Sequence, residues 1–168
     1  MAVSKSGYIV WRLYKDTVYV GTRVTAKRPE GLKWEEAVRE VQYIAVDDSC
    51  AWYIKLNGDI MLQKGLSKDR PCFKAKKIPC SFNLKQIICQ AGVVWGLTDN
   101  YNIVYRSGVT KSCVEGTDWT PVQTDLLFSC ITFGDGNIVW AMDVLGRICF
   151  TSNVSMETPT GEGRWWQV

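Results

Sequence analysis

The chain has no histidine among its 168 residues. The commonest general base and commonest metal ligand are therefore missing, and neither a Ser-His nor a Cys-His nucleophile can be built. No two of the seven cysteines (Cys50, Cys72, Cys80, Cys89, Cys113, Cys130 and Cys149) stand as C-x-x-C, so the usual zinc-ligand spacing is absent. No Gly-rich phosphate loop exists, because Gly134-Asp-Gly-Asn137 reads as a hairpin turn. An EF-hand would need alternating oxygen ligands and a Glu at its twelfth place, and none is present. No run approaches the ~20 apolar residues of a membrane span, and MAVSKSGYIVWRLY has neither the h-region nor the cleavage site of a signal peptide. Charge of one sign is scarce too. Twenty Lys and Arg against 17 Asp and Glu leave a net +3, without the concentrated basic face that nucleic acid requires. These absences predict a non-enzyme with no catalytic, cofactor-binding or metal-binding residues, no cofactor and no nucleic-acid partner.

What is there is apolar and aromatic: 46% hydrophobic residues, 12% aromatic, eight of them Trp. That composition is globular. The odd cysteine count, with several thiols inside strand-like runs such as IICQ, FSCITF and RICF, predicts reduced, buried thiols in a reducing, cytoplasmic compartment. Asp47, Asp48 and Asp135 read as solvated turn residues. Asn153-Val-Ser155 is a chance match to a glycosylation acceptor.

The aromatics are periodic. Trp11, Trp52, Trp95 and Trp140 each lead a run of β-branched and aromatic residues, at separations of 41, 43 and 45 residues. A second mark trails each run: Trp34, Trp119 and Trp165, with Phe73 taking that place in the divergent second copy. Within a copy the hydrophobic period is two, and turn chemistry such as LNGD, TDNYN and DVLG separates the runs. Four short antiparallel strands in about 42 residues match a β-propeller blade. The glutamate-rich KWEEAVREV falls in an outer-strand place and is read as strand. The expected fold is an all-β propeller of four blades at approximately 1–38, 39–80, 81–122 and 123–168, forming a single domain over 1–168. Each lead Trp is expected to pack against a neighbouring blade. Gly65, Gly108 and Asn153 follow the third strand, where a left-handed residue fits; Arg23 departs from that rule.

The run VWGLTDNYNIVYRSGVTKSCVEGTDWTPV resembles the tectonin β-propeller repeat. Its marks are Val-Trp-x-(Leu/Val)-Asp-x-x-Gly-x-(Val/Ile)-(Tyr/Phe)-x-Arg-x-Gly-(Val/Ile) and a trailing Gly-x-x-Trp-x-x-(Val/Ile). IVWAMDVLGRICFTSNVSMETPTGEGRWWQV is nearly as similar; copy one is fair, and the second half of copy two weak. The loop style, the unpaired cysteines and the missing signal peptide are like the intracellular tectonin-repeat proteins. That resemblance implies a protein-interaction scaffold in autophagy or membrane trafficking, cytoplasmic or peripheral to endomembranes. The alternative it implies is a carbohydrate-binding lectin, for which Tyr101, Asn102 and Arg106 could serve. Propellers of this family have about six blades. The front of the first inner strand is short here, so the chain reads as a segment of a longer array, with a closed four-blade ring as the alternative. An open arc would expose strand edges and favour self-association.

Partner-binding candidates lie where the copies disagree. Lys74, Lys76 and Lys77, with Lys68 and Arg70, could meet an acidic partner or anionic headgroups. Trp119-Thr-Pro-Val122 and Trp165-Trp-Gln-Val168 have an aromatic-x-x-aliphatic form that could add a strand to a ubiquitin-like partner, although both are also repeat signatures.

Overall fold

The computed structural model describes all 168 residues, in strands and loops with no helix. The four sheets are each four-stranded antiparallel meanders. Blade 1 is β1 (Ala2–Val3), β2 (Val10–Tyr14), β3 (Thr17–Thr22) and β4 (Lys33–Val38). Blade 2 is β5 (Val41–Val46), β6 (Cys50–Lys55), β7 (Ile60–Lys64) and β8 (Ala75–Ile78). Blade 3 is β9 (Leu84–Gln90), β10 (Val93–Thr98), β11 (Ile103–Ser107) and β12 (Asp118–Pro121). Blade 4 is β13 (Phe128–Phe133), β14 (Val139–Asp143), β15 (Ile148–Thr151) and β16 (Trp166–Gln167). KWEEAV is indeed strand β4: its register on β3 offsets the helical propensity of its glutamates.

The chain divides into two compact units, 1–79 and 80–168. In the first, Ile9, Trp11, Val18 and Val20 of blade 1 form one core with Val41, Ile44, Val46, Ala51 and Tyr53 of blade 2. In the second, Val93, Trp95, Leu97 and Ile103 of blade 3 do the same with Phe128, Ile131, Val139 and Ala141 of blade 4. In both, strand alternation puts every second side chain on the blade-to-blade face.

The residue after the third strand is left-handed in all four copies: Arg23 (φ 52°), Gly65 (68°), Gly108 (67°) and Asn153 (59°). The exception at Arg23 is thus one of residue type, not of backbone. An Arg held there is strained. Arg23→Gly is expected to raise the unfolding free energy by about 1 kcal/mol in a urea titration; a loss of stability would show that the Arg23 side chain is needed.

Two expectations are corrected. Ladder register sets Ala75, not Phe73, in the trailing-Trp place of blade 2. Ala75 pairs with Gln63 as Trp34 pairs with Gly21 and Trp119 with Arg106. Phe73 stands two residues ahead of β8, its N–H donating to the Gln63 side-chain oxygen at 2.7 Å. Asp47 is not a solvated turn residue, whereas Asp48 is exposed in the β5–β6 turn, as expected. Asp47 is buried, and the Asp48 carboxylate accepts the Ser6 N–H at 2.9 Å.

Candidate functional site

Four equivalent loops join the third and fourth strands of the blades, starting at Thr25, Ser67, Thr110 and Ser155. In each, the leading hydroxyl accepts the N–H three residues on, at 3.1, 3.2, 3.0 and 3.1 Å. Reciprocal backbone bonds tighten the first three, between Thr25 and Arg28, Ser67 and Arg70, and Thr110 and Cys113. Such self-bonded turns are stiff. Four residues past the hydroxyl stand Pro29, Pro71, Val114 and Pro159. The Trp11 indole N–H donates to the Pro71 carbonyl at 2.8 Å, and the Trp95 indole N–H to the Pro159 carbonyl at 2.7 Å. A lead Trp thus reaches from its own blade to the loop of the next. The sequence reading missed these acceptors. The signal that finds them is the recurring (Ser/Thr)-x-x-x-(Pro/Val).

Trp11, Trp52 and Trp95 are fully buried, whereas Trp140 is 37% exposed. Trp34 is half-buried beside Arg12, whose guanidinium lies 4.9 Å from its ring and 5.0 Å from that of Tyr19. Trp119 is buried under Arg106, 5.5 Å away. Trp165 packs 6.0 Å from Trp95 and 4.5 Å from Phe128. As aromatic anchors for a strand-adding partner, Trp119 and Trp165 are thus occupied internally. Val168 is exposed.

On the divergent blade, Lys74 lies just ahead of β8, and Lys76 and Lys77 lie on it, exposed on the outermost strand. Lys77 reaches Asp59 at 2.8 Å. Arg70 turns inward: its Nε and Nη2 donate to the Gly65 carbonyl at 3.0 and 2.6 Å, and its guanidinium lies 4.5 Å from the Phe73 ring. Lys68 and Arg70 line a recess of about 570 Å³ with Arg23, Lys33, Glu35 and Asp69. Its charge is mixed.

The three lectin candidates are not brought together. Asn102 lines a cavity of about 410 Å³ with Ser81, Phe82, Asn83, Thr98 and Asp99. Tyr101 sits at φ 66° under Lys85, whose Nζ is 3.7 Å from its ring. Arg106 is buried and donates to the Glu115 carbonyl at 2.7 Å. That burial pushes its pKa down, against nearby Asp118.

The thiols correct another expectation. Cys50 and Cys149 are buried, Cys72, Cys80, Cys89 and Cys113 are half-buried, and Cys130 is exposed. The reason is register: Cys130 pairs with Met142, on the face opposite Ile131. Burial holds the Cys72, Cys80 and Cys149 thiols above their ordinary pKa. A thiol reagent is therefore expected to label Cys130 first, at least about tenfold faster than the buried Cys50 and Cys149. Mass spectrometry of the partly labelled chain checks this, and equal rates would contradict the fold of blade 4.

Asp143, buried at the β14–β15 turn, accepts the N–H groups of Leu145 and Arg147 at 2.9 and 2.8 Å and the Arg147 Nε–H at 2.5 Å. Burial alone would raise its pKa, but the hydrogen bonds from Arg147 and Leu145 outweigh that and lower it. A folded pKa below the unfolded one gives stability that is present above the unfolded value. It is lost as pH falls through the folded value. The stability difference between the natural chain and Asp143→Asn is expected to shrink below about pH 4. A pH-independent difference in urea titrations would overturn this.

Comparison with known proteins agrees with the geometry. A family model described as Propeller (Hyd_WA) matches residues 93–122. Human tectonin β-propeller repeat-containing protein 2 is 36% identical over this whole chain, which spans 12% of that protein's length. The expected resemblance within the intracellular group, to type 2 ahead of type 1, agrees with this identity. Among solved structures, a chain in a nidogen/laminin complex aligns at TM-score 0.67 and 13% identity, over 99% of this chain and 62% of that one. Human WBSCR16 aligns at TM-score 0.59 and 13% identity, over 92% of this chain and 48% of that one. At such identities these structures show the fold alone. The trailing tryptophans, the lead-Trp spacing and the identity across all four blades lead to one conclusion: the chain belongs to the tectonin β-propeller repeat family.

Proposed function

We propose that this chain is a non-catalytic protein-interaction scaffold, working as part of an intracellular tectonin-repeat protein in autophagy or membrane trafficking, in the cytoplasm or at endomembrane surfaces. The observation that carries this reading is a contrast within the repeat. The frame is stiff and internally bonded, whereas the divergent stretch 66–80 presents Lys74, Lys76 and Lys77 on and beside the outermost strand of blade 2. An edge strand bearing lysines resists random strand pairing yet suits an acidic extended segment. Identity with the human tectonin-repeat protein along the whole chain supports the family part of the reading.

Charge reversal of the three lysines is expected to abolish binding of an acidic strand-forming peptide and to leave unfolding almost unchanged, since the Lys77–Asp59 pair is exposed. Unaltered binding would remove β8 from the interface. Deleting these residues from the natural gene is expected to slow autophagic turnover; unchanged turnover and unchanged traffic would overturn the pathway assignment.

The second reading, a carbohydrate-binding tectonin, is favoured by the cavity of blade 3, whose lining includes Phe82 with Asn83, Asp99, Asn100 and Asn102. Amide and carboxylate groups beside an aromatic ring suit a polyhydroxylated ligand. A glycan array decides between the readings: clear, sugar-competable binding would displace the scaffold.

A further inference from the structure

Both walls of the recess that holds Arg23 and Lys68 lie within residues 1–79. One wall is the outer half of blade 1, with Arg23, Lys33 and Glu35; the other is the β7–β8 loop of blade 2, with Lys68, Asp69 and Arg70. The Trp11–Pro71 hydrogen bond ties that loop to blade 1. Four cations therefore stand with two acids. Lys33 and Glu35 neutralise one another at 2.6 Å. Arg70 spends its Nε and Nη2 on the Gly65 carbonyl, and its Nη1 stays unbonded. The side chains of Arg23, Lys68 and Asp69 have no hydrogen bond, ion pair or ring contact. The uncommitted charge of the recess is positive.

The junction of blades 3 and 4 is an internal control. Ladder register sets Gly108 there in the place of Arg23, Asp118 in that of Lys33 and Thr120 in that of Glu35. Counting from the capping hydroxyl, Met156, Glu157 and Thr158 stand for Lys68, Asp69 and Arg70. That junction docks through the same Trp-to-Pro bond with two acids and no cation at these places. The repeat frame therefore does not need the cations. Arg23 even opposes it, since its backbone is left-handed at φ 52° where the other junction has Gly108. A strained backbone is kept where the side chain it carries has a use. Hydroxyl caps at Thr25 and Ser67 stiffen the loops beside Arg23 and around Lys68, so the recess is preformed.

Two unpaired cations and a free guanidinium edge suit a phosphate monoester, which carries close to two negative charges at neutral pH and several strong acceptor oxygens. The recess, at about 570 Å³, is far larger than one phosphate group, so the group enters with its neighbours in a chain. Asp69, unpaired beside the cations, calls for a cation next to the phosphate. A phosphorylated peptide with a Lys or Arg beside its phosphoresidue supplies both charges, whereas a sheet of anionic headgroups would meet Asp69 with like charge. We propose that this recess binds a phosphoserine or phosphothreonine of a partner peptide, with Arg23 and Lys68 on the phosphate and Asp69 on a neighbouring basic residue. The site is separate from the lysines of β8 and stands whether or not that strand takes a peptide.

An immobilised peptide library, with phosphoserine fixed among random residues, tests this on the 168-residue chain against its unphosphorylated twin. Retention of the chain by the phosphorylated library is expected to be at least about tenfold stronger, with Lys and Arg selected beside the phosphate. Arg23→Gly and Lys68→Glu are each expected to lower that preference about tenfold. Arg23→Gly relieves backbone strain, so weaker binding by a more stable chain separates a binding role from misfolding. Asp69→Ala is expected to keep the phosphate preference and lose the basic selection. Equal retention by the two libraries, a preference unchanged in both cation variants, or basic selection that persists in Asp69→Ala would each overturn the proposal. So would a preference that survives both cation variants and is lost on charge reversal of Lys74, Lys76 and Lys77; that result would give the phosphate to β8 and leave the scaffold reading standing. Arg23-dependent binding to phosphatidylcholine vesicles doped with phosphatidic acid, without retention by the phosphorylated library, would assign the recess to a membrane and also sink it.

Discussion

Trp95→Ala is expected to destabilise the chain by about 3–5 kcal/mol, and Trp140→Ala by less than about 1 kcal/mol. The two residues hold the same repeat position, so local propensity is equal and cannot separate them. Their surroundings do. Trp95 is fully buried, packs against Trp165 at 6.0 Å and donates its N–H to Pro159. Its removal leaves a large cavity between blades 3 and 4 and an unpaired carbonyl in a stiff loop. Trp140 keeps over a third of its surface in water, and its truncation opens no enclosed void. Urea unfolding of both variants checks the difference. Equal losses would mean that the lead tryptophans stabilise their own sheets and do not join one blade to the next.

Gly161→Ala is expected to cost more than about 2 kcal/mol, against about 1 kcal/mol for Gly163→Ala. Both glycines are left-handed, at φ 65° and 67°, so the backbone penalty is common to both. A Cβ on Gly161 would collide with the Ser152 carbonyl oxygen, which is main chain and cannot swing aside. A Cβ on Gly163 meets nothing within 4 Å. The Gly161 N–H also closes the loop on the Thr158 carbonyl at 2.9 Å. Moving it displaces the neighbouring Pro159 carbonyl, so the Trp95 indole N–H signal in a nitrogen-15 spectrum is expected to shift in Gly161→Ala and to stay in place in Gly163→Ala. A Trp95 signal unmoved in both would break the link between loop shape and blade docking.

Much of the fold was legible in the chain itself. Alternating apolar residues, turn chemistry and four spaced tryptophans specify strands, hairpins and a repeat, because these depend on neighbours a few residues apart and on self-comparison. The candidate surfaces were less legible. Lys74, Lys76 and Lys77 stand exposed where copy divergence pointed, but the inward turn of Arg70, the burial of Arg106 and the occupation of Trp165 by Trp95 and Phe128 depend on folded neighbours.

The number of repeats, their strand character and the places of their tryptophans are readable from the chain alone, since each follows from local periodicity. The sequence also carried the Gly, Gly, Asn and Arg of the third-strand exit without revealing that all four share one left-handed backbone. Register, as in the exchange of Ala75 for Phe73, and the destination of the indole N–H groups of Trp11 and Trp95 emerged on folding. Those bonds join residues 60 and 64 positions apart. The tertiary structure likewise decided which lead tryptophan stays open to solvent. Four copies of one pattern are alike in sequence, and exposure follows from which side chains pack on each tryptophan in the folded chain: Trp95 lies against Trp165, whereas Trp140 keeps over a third of its surface in water.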